Sequence, residues 1–378
     1  MAKQPLAVVT SDCHLALRTW QSRPTLAGDS VYAFQQIVDL AIERGLPVIA
    51  AGDVIDKQRN GSLVIDNLGR MLRQLGRHRL RLYFIQGQHD LQPVPWLSAI
   101  GGRDHAIWVH DQCFKLGGIV FQGFDWSPAD KLAKYLAEEI QPDTDVLVLH
   151  QVVHEWMGGV TATEMSFTQI PERVEMVIIG DYHEKTGVET FTNAAGGDVK
   201  VLSPGSTCLQ SISEPPAKFC YVLYDDLSVE AVQLKTRPLL APRPLSLEEH
   251  VDRFVEEAPH QIREAEAEAK ALGIPPQIAR PIVYVKCVEG LPEAYRRIER
   301  AVSPHGFLFY KELRARAEDE QAALLREHRE DLMAKGLLGA LDEVVPETDS
   351  EVYRIAHRLL QAKDPRAELQ SLREERLG

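Results

Sequence analysis

Five apolar runs in the first half of the chain (LAVVT, PVIAA, LYFIQ, VLVLH and VEMVII) are each followed at once by a short polar string. The strings are Asp12-Cys13-His14, Gly52-Asp53 with Asp56, Gly87-Gln88-His89-Asp90, His150-Gln151 and Gly180-Asp181-Tyr182-His183. The runs have the length and β-branched content of buried strands. Helical segments are predicted between them, so the strands should lie largely parallel and release their polar strings at one edge of a sheet. Open α/β folds place ligands at that edge. Asp and His delivered to one point from five strand ends predict a metal centre.

Strands are expected near 6–10, 47–51, 80–86, 106–110, 113–116, 118–124, 145–149, 175–179, 187–192, 198–202 and 218–224. Helices are expected near 29–44, 61–76 and 128–140, and Gly117-Gly118 reads as a hairpin turn. The expected class is α/β, a layered sandwich of mixed sheets flanked by helices. At 378 residues more than one domain is expected. RPLLAPRP (237–244) reads as a linker, and Ser246 with Glu249 reads as a capping box for the next helix. Beyond it a strand (281–288), a helix (291–302) and a strand (306–313) suggest a small βαβ-like unit. Residues 315–336 are highly charged and helical. Helix 350–362, with Val352, Ile355, Ala356, Leu359 and Leu360 on one stripe, then precedes a last helix opened by Asp364-Pro365. That helical pair either packs on its own domain or meets a partner surface. The domain expectation is therefore 1–240, 241–314 and 315–378.

Composition is ordinary, with 44% hydrophobic and 26% charged residues. No apolar run approaches the ~20 residues of a membrane helix, and the N-terminus lacks a cleavage pattern, so no membrane and a cytoplasmic location are expected. Five cysteines without paired spacing read as reduced, mostly buried thiols, and a continued strand pleat would turn Cys13 away from Asp12 and His14. A net charge of −13 argues against a nonspecific nucleic-acid coat protein. Locally, residues 67–89 hold no acid while Arg70, Arg73, Arg77, Arg79 and Arg81 fall within them. Arg70, Arg73 and Arg77 share one helical face, which reads as solvated surface or as a phosphate- or subunit-facing patch.

Asp-x-His at a strand end would place both side chains on one face, and Gly52 would let Asp53 turn in to bridge. Two divalent ions about 3.5–4 Å apart clamp the attacking and leaving oxygens of a displacement at phosphorus, and an activated water between them is the expected nucleophile. Mixed His and carboxylate donors suit Mn²⁺, Fe²⁺ or Zn²⁺ better than Ca²⁺. His154, four residues after His150, reads as a supporting or solvent-facing group rather than as half of a helical HxxxH pair.

The ordered strings resemble the calcineurin-like metallophosphoesterase superfamily, whose blocks run DxH, GDxxD, GN-H-E/D, H and GH-x-H. That resemblance implies a four-layer sandwich. It places Asp12, His14, Asp53 and His183 on one metal, and Asp53, Gln88, His150 and Asp181 on the other. His89 would protonate the leaving oxygen or stabilise the transition state, and Asp90 would orient His89. Gln88 stands where the family has asparagine and Asp181 where it has histidine, so the second site is richer in oxygen and two Mn²⁺ ions, or Mg²⁺, are implied.

The LHQ string, the Ser203-Pro204-Gly205-Ser206 segment with Glu214 beyond it, the small capping unit and the terminal helical pair are together similar to the nuclease subunits of SbcCD-type double-strand-break repair complexes. What this implies is a homodimeric, Mn²⁺-dependent 3′→5′ double-strand DNA exonuclease and single-strand endonuclease of recombination and repair. That family dimerises through helices flanking the third block and binds an ABC ATPase with a long coiled coil through C-terminal helices. Lys57, Arg59 and Arg103 lie near motif loops and are candidates for DNA backbone phosphates, with plain surface charge as the alternative. A phosphatase or cyclic-nucleotide phosphodiesterase on the same core, and a weakly catalytic scaffold for the ATPase, are the rival expectations.

Overall fold

The computed structural model describes residues 3–16, 25–56, 61–102, 104–157, 163–288, 290–291 and 293–313. The expectations for Lys57, Arg59, Arg103 and the C-terminal helical pair lie outside the described residues. In chain order the elements begin β1 (Pro5–Thr10), α1 (Asp29–Arg44), β2 (Val48–Ala51), α2 (Ser62–Arg77), β3 (Leu82–Ile85), α3 (Trp96–Gly101) and β4 (Ala106–Trp108). β5 (Gln112–Leu116) and β6 (Ile119–Gly123) form a hairpin. Its turn residues Gly117 and Gly118 have φ of 53° and 94°, a conformation glycine adopts without penalty. α4 (Ala129–Lys134) runs on as a π-helical turn to Glu139, before β7 (Val146–His150), α5 (His154–Met157) and β8 (Met176–Gly180). β9 (Gly187–Thr192), β10 (Asp198–Ser203), β11 (Lys218–Tyr224), β12 (Val229–Leu234) and β13 (Leu239–Leu240) follow. The last described elements are α6 (Glu248–Ala271), α7 (Pro276–Ala279), β14 (Ile282–Val288), α8 (Ala294–Val302) and β15 (Phe307–Leu313).

Two six-stranded mixed sheets carry the fold, in the orders β12-β11-β1-β2-β3-β4 and β5-β6-β7-β8-β10-β9. β1 to β4 are parallel to one another, and so are β6, β7, β8 and β10. The sheets stack because their strands are apolar on both faces. In β7, Val146 and Val148 join Ile49, Ile85, Phe121 and Ile178 in the core between the sheets, while Leu147 and Leu149 turn outward. The outer face of the first sheet is covered by Phe34 and Ile37 of α1 and Leu68 and Leu72 of α2. That of the second sheet packs on Leu132 and Leu136. The result is a layered α/β sandwich of mixed sheets flanked by helices, as the strand and helix pattern predicts.

β12 and α3 were not legible in the sequence. The first is a half-exposed edge strand, and the second is one short turn after a Pro-rich loop. On α2, Arg70, Arg73 and Arg77 all face solvent, opposite the buried Val64, Leu68, Met71, Leu72 and Leu75. α6 begins at Glu248, and Ser246 Oγ lies 3.3 Å from His250 Nδ1. The chain divides into two compact units: residues to Pro242 with Val251–Val285 and Tyr295–Phe309, and a second holding Arg243–His250, Lys286–Ala294 and 310–313. Among the described residues no helix is long and apolar enough to cross a membrane. The five cysteines are free, and Cys113 alone among them is exposed.

Candidate metal centre

The polar strings do leave the carboxyl ends of β1, β2, β3, β7 and β8, but these strands lie in two sheets rather than one, and of the donors only His150, the last residue of β7, is oriented by the strand pleat. β1 stops at Thr10, and Asp12, His14, Asp53 and Asp181 all have positive φ, of 47°, 43°, 49° and 87°. Left-handed backbone costs a non-glycine residue about 1–3 kcal/mol and is held where the surroundings demand it. Here the first two loops pair beyond their strands: Asp12 N donates to Gly52 O, His14 N to Asp53 O and Leu15 N to Val54 O, at 2.8–3.2 Å. The same departure from the pleat sends Cys13 into the core under α1, with Sγ 3.6 Å from Thr10 Oγ1.

His14 Nε2 lies 3.0 Å from His183 Nε2 and 3.9 Å from Asp12 Oδ1, and His183 Nε2 is 3.7 Å from the same oxygen. His150 Nε2 lies 3.3 Å from Asp53 Oδ2 and 4.0 Å from Asp12 Oδ1. Three groups of donors are thus close enough to hold a cation: Asp12 with His14 and His183, Asp12 with Asp53 and His150, and His14 with Asp53 and His89.

The unpartnered donor atoms could accommodate a cation. His150 Nδ1 donates to Ala51 O at 2.7 Å, so a neutral His150 turns the lone pair of Nε2 towards Asp53. Both His150 Nε2 and Asp53 Oδ2 are buried without a hydrogen-bond partner, as is Gln88 Oε1. Buried orphans of this kind are costly unless something positive lies between them. The titratable groups show the negative charge that a cation or a proton on His150 would answer. Burial pushes Asp90 up to about 8, with Asp53 adding to the rise. Burial pushes His14 down to about 3, against the pull of Asp53. Burial also opposes the charged form of His150, yet Asp53, Asp12 and Asp181 hold it well above the ordinary imidazole range. Imidazole and carboxylate donors grouped in this way could hold a metal ion.

Three glycines make room for the His150 ring. A Cβ on Gly52 or Gly180 would stand 2.4 Å from His150 Nδ1, and one on Gly87 would stand 2.7 Å from Nε2 and 2.1 Å from Asp53 Oδ1. In the three polar strings that contain one, the glycine therefore answers a steric demand set by a residue on another strand.

One sequence expectation changes in the fold, that for Asp90. Gln88 and Asp181 contact each other, Gln88 Nε2 donating to Asp181 Oδ1 at 2.5 Å, and Asp181 Oδ1 lies 3.8 Å from His150 Nε2. Asp12 Oδ1 stands at a similar distance, 4.0 Å, from the same nitrogen. Asp90 does not hold His89. Its carboxylate accepts from Gly87 N at 2.7 Å and Val54 N at 2.9 Å, stapling the second loop to the third. His89 is held instead by Asp56 O, 2.7 Å from Nδ1, and by its own N–H, which donates to Asp53 Oδ1 at 2.9 Å. A side-chain orienter next in sequence was the expected arrangement; a backbone carbonyl from another loop carries no residue-type signature.

Two further carboxylates, buried Asp125 and half-buried Glu164, went unrecognised in the sequence because their partners are backbone and indole N–H groups distant in the chain. Asp125 accepts from Gln86 N at 2.7 Å and Trp108 Nε1 at 3.0 Å. Glu164 accepts from Val152 N at 2.8 Å and Trp126 Nε1 at 3.0 Å. Each ties a loop bearing a donor to its neighbour. His154 is exposed at the start of α5.

No protein-family model matches this sequence, and no curated protein matches it either. A crystal structure of TT1561 of Thermus thermophilus is similar over 61% of this chain and 98% of its own, at 14% identity and a TM-score of 0.39. A second crystal structure is similar over 61% of this chain and 99% of its own, at 12% identity and a TM-score of 0.35. At these values neither likeness assigns a fold or an activity to this chain.

Proposed function

We propose that the chain is a metal-dependent phosphodiesterase that cleaves DNA, of the kind found as the nuclease subunit of SbcCD-type complexes. The observation that carries the reading is the placement of His89. Its side chain is 44% exposed, its ring meets the His14 ring edge-on at 4.8 Å, and Asp56 O fixes Nδ1 as the protonated nitrogen. An imidazole so held keeps Nε2 for proton transfer beside the donor groups, which suits a general acid for a leaving oxygen.

In this reading Asp12, His14 and His183 hold one divalent ion, and Asp12, Asp53 and His150 a second, with Gln88 and Asp181 as oxygen donors nearby. Bound Mn²⁺ (or Mg²⁺) would supply Lewis-acid polarisation of the phosphate and a water of lowered pKa. The chain's own part is to keep His150 and His183 in one tautomer, to pin the loops through Asp90, and to present His89 Nε2 to the leaving group. DNA as substrate, 3′→5′ polarity, a coiled-coil ABC ATPase as partner and a homodimer belong to the same proposal. Exposed Leu63 near the start of α2 and Val94 just before α3 are apolar surface flanking the third loop, as a dimer seam there would need.

The test is hydrolysis of linear duplex DNA with Mn²⁺ by the whole chain and by His89→Ala. The expected result is release of nucleotides by the wild type and a loss of about 10²–10⁴-fold in the variant, with Mn²⁺ binding retained. Turnover of a small phosphomonoester without any cleavage of DNA would move the assignment to a phosphatase. A chain that binds metal and turns over neither would be the scaffold.

A further inference from the structure

The two histidines whose Nε2 atoms face the carboxylates are oriented by different means. His150 relies on a main-chain carbonyl, Ala51 O. His183 relies on side chains: its Nδ1 lies 3.2 Å from Glu214 Oε1, and the other oxygen of Glu214 accepts from Lys218 Nζ at 2.7 Å and Ser206 Oγ at 2.9 Å. Lys218 Nζ also donates to Ser206 Oγ at 2.8 Å. Lys218 is only 1% exposed, so a full ammonium group is buried with two side-chain partners. Isolated buried charge is expensive, and a pair is retained only with good geometry and further hydrogen bonds. Here the geometry is supplied by backbone as well: Gln210 N and Ser211 N donate to Glu214 at 3.2 and 3.0 Å, and Ser206 N donates to His183 O at 3.3 Å. The same segment reaches the first loop, where Ser11 Oγ donates to Gly205 O at 3.3 Å and Thr207 N to Asp12 O at 3.4 Å.

We infer that Ser206, Glu214 and Lys218 are positioning residues for the Asp12–His14–His183 donor group, and that they set its metal affinity without setting that of the Asp12–Asp53–His150 group. The inference rests on the metal reading of the site. Lys218 and Ser206 hold the Glu214 carboxylate in place. Glu214 accepts a hydrogen bond from Nδ1–H of His183, which fixes the tautomer and turns the Nε2 lone pair towards Asp12 and His14. A carboxylate behind a ligand imidazole is worth about 10–100-fold in metal affinity. No side-chain substitution can remove the equivalent support of His150, because its acceptor is a peptide oxygen.

The test is titration of the whole apo chain with Mn²⁺, read by calorimetry and by the electron paramagnetic resonance of free Mn²⁺. His183→Ala identifies the class of site that contains His183. Glu214→Gln and Lys218→Met are expected to weaken that same class by about 10–100-fold, leaving the remaining class within twofold of wild type. Should Lys218→Met fail to fold because Glu214 is left unpaired, the double variant Glu214→Gln/Lys218→Met removes both charges together, and the same weakening is expected. Lys218→Arg should restore affinity in part. Unchanged affinity in the variants, or an equal loss in both classes, overturns the inference while leaving the metal reading standing. A wild-type chain that takes up no Mn²⁺ overturns the metal reading and this inference with it.

Discussion

The Nε2 atoms of His14 and His183 lie 3.0 Å apart, while Nδ1 of His183 is committed to Glu214. Two imidazole nitrogens at that distance either share one proton or share one cation.

A divalent cation that binds the native chain alone must therefore stabilise it. With Mn²⁺ at about a hundred times its dissociation constant the gain is about 2.7 kcal/mol. Thermal unfolding with added Mn²⁺, then with excess chelator, should show a higher midpoint that falls back on chelation. Identical midpoints in the two conditions would count against the centre.

Gly87→Ala should damage the site more than its size suggests. The added Cβ would stand 2.1 Å from Asp53 Oδ1 and 2.7 Å from His150 Nε2, and both groups are packed on every side. Overpacking of this kind costs about 1–3 kcal/mol, and Mn²⁺ affinity should drop with it. Gly61→Ala meets nothing within 4 Å at a φ of −71° and, although it exchanges the N-cap of α2 for a poorer one, is the control that should leave Mn²⁺ affinity alone.

Glu214 makes stability depend on acid. Burial works against its charged form, but the hydrogen bonds from His183 and Lys218 outweigh burial and bring its pKa from 4.5 to about 2. As pH falls below 4.5 the unfolded chain takes up this proton before the folded chain does, so the contribution is present above 4.5 and lost on the way to about 2. The difference in melting temperature between wild type and Glu214→Gln should shrink across that window. A difference that stays constant from pH 6 to 2.5 would exclude Glu214 as its source.

Arg237 and Asp29 form a buried two-pronged ion pair, Nε to Oδ1 at 2.8 Å and the second nitrogen to Oδ2 at 2.9 Å, with Arg237 also donating to Arg280 O. Arg237→Ala leaves Asp29 buried and unpaired, at a cost of about 3–5 kcal/mol. Replacing both with leucine should cost markedly less. Chemical denaturation of the single and double variants measures the two values, and equal losses would show that the pair itself, not the stranded charge, carries the energy.

The sandwich was legible because strands buried on both faces must be apolar throughout, as in β7 and β8, and because the helices between them carry one apolar face. The polar strings at the strand ends were legible for the same reason: Asp and His directly after a buried strand have few other uses. Asp12, His14, Asp53, His150 and His183 thus stood out in the local pattern, and the family resemblance assigned them as metal ligands. The sequence could not say which acceptor serves which imidazole. Asp90 stands beside His89 in the chain, yet its carboxylate is spent on Gly87 N and Val54 N, and Asp56 O holds the ring. Gln88 and Asp181, read as donors to the same ion, lie in contact.

Sequence alone determined where the strands end and which donor types are delivered there, since both follow from short-range periodicity and residue chemistry. Only the tertiary structure decided how those donors group, which glycines make room for His150, and that a buried Lys218 stands behind His183. Those relations join residues from different strands through backbone atoms and van der Waals contact, and such partners leave no trace in spacing along the chain.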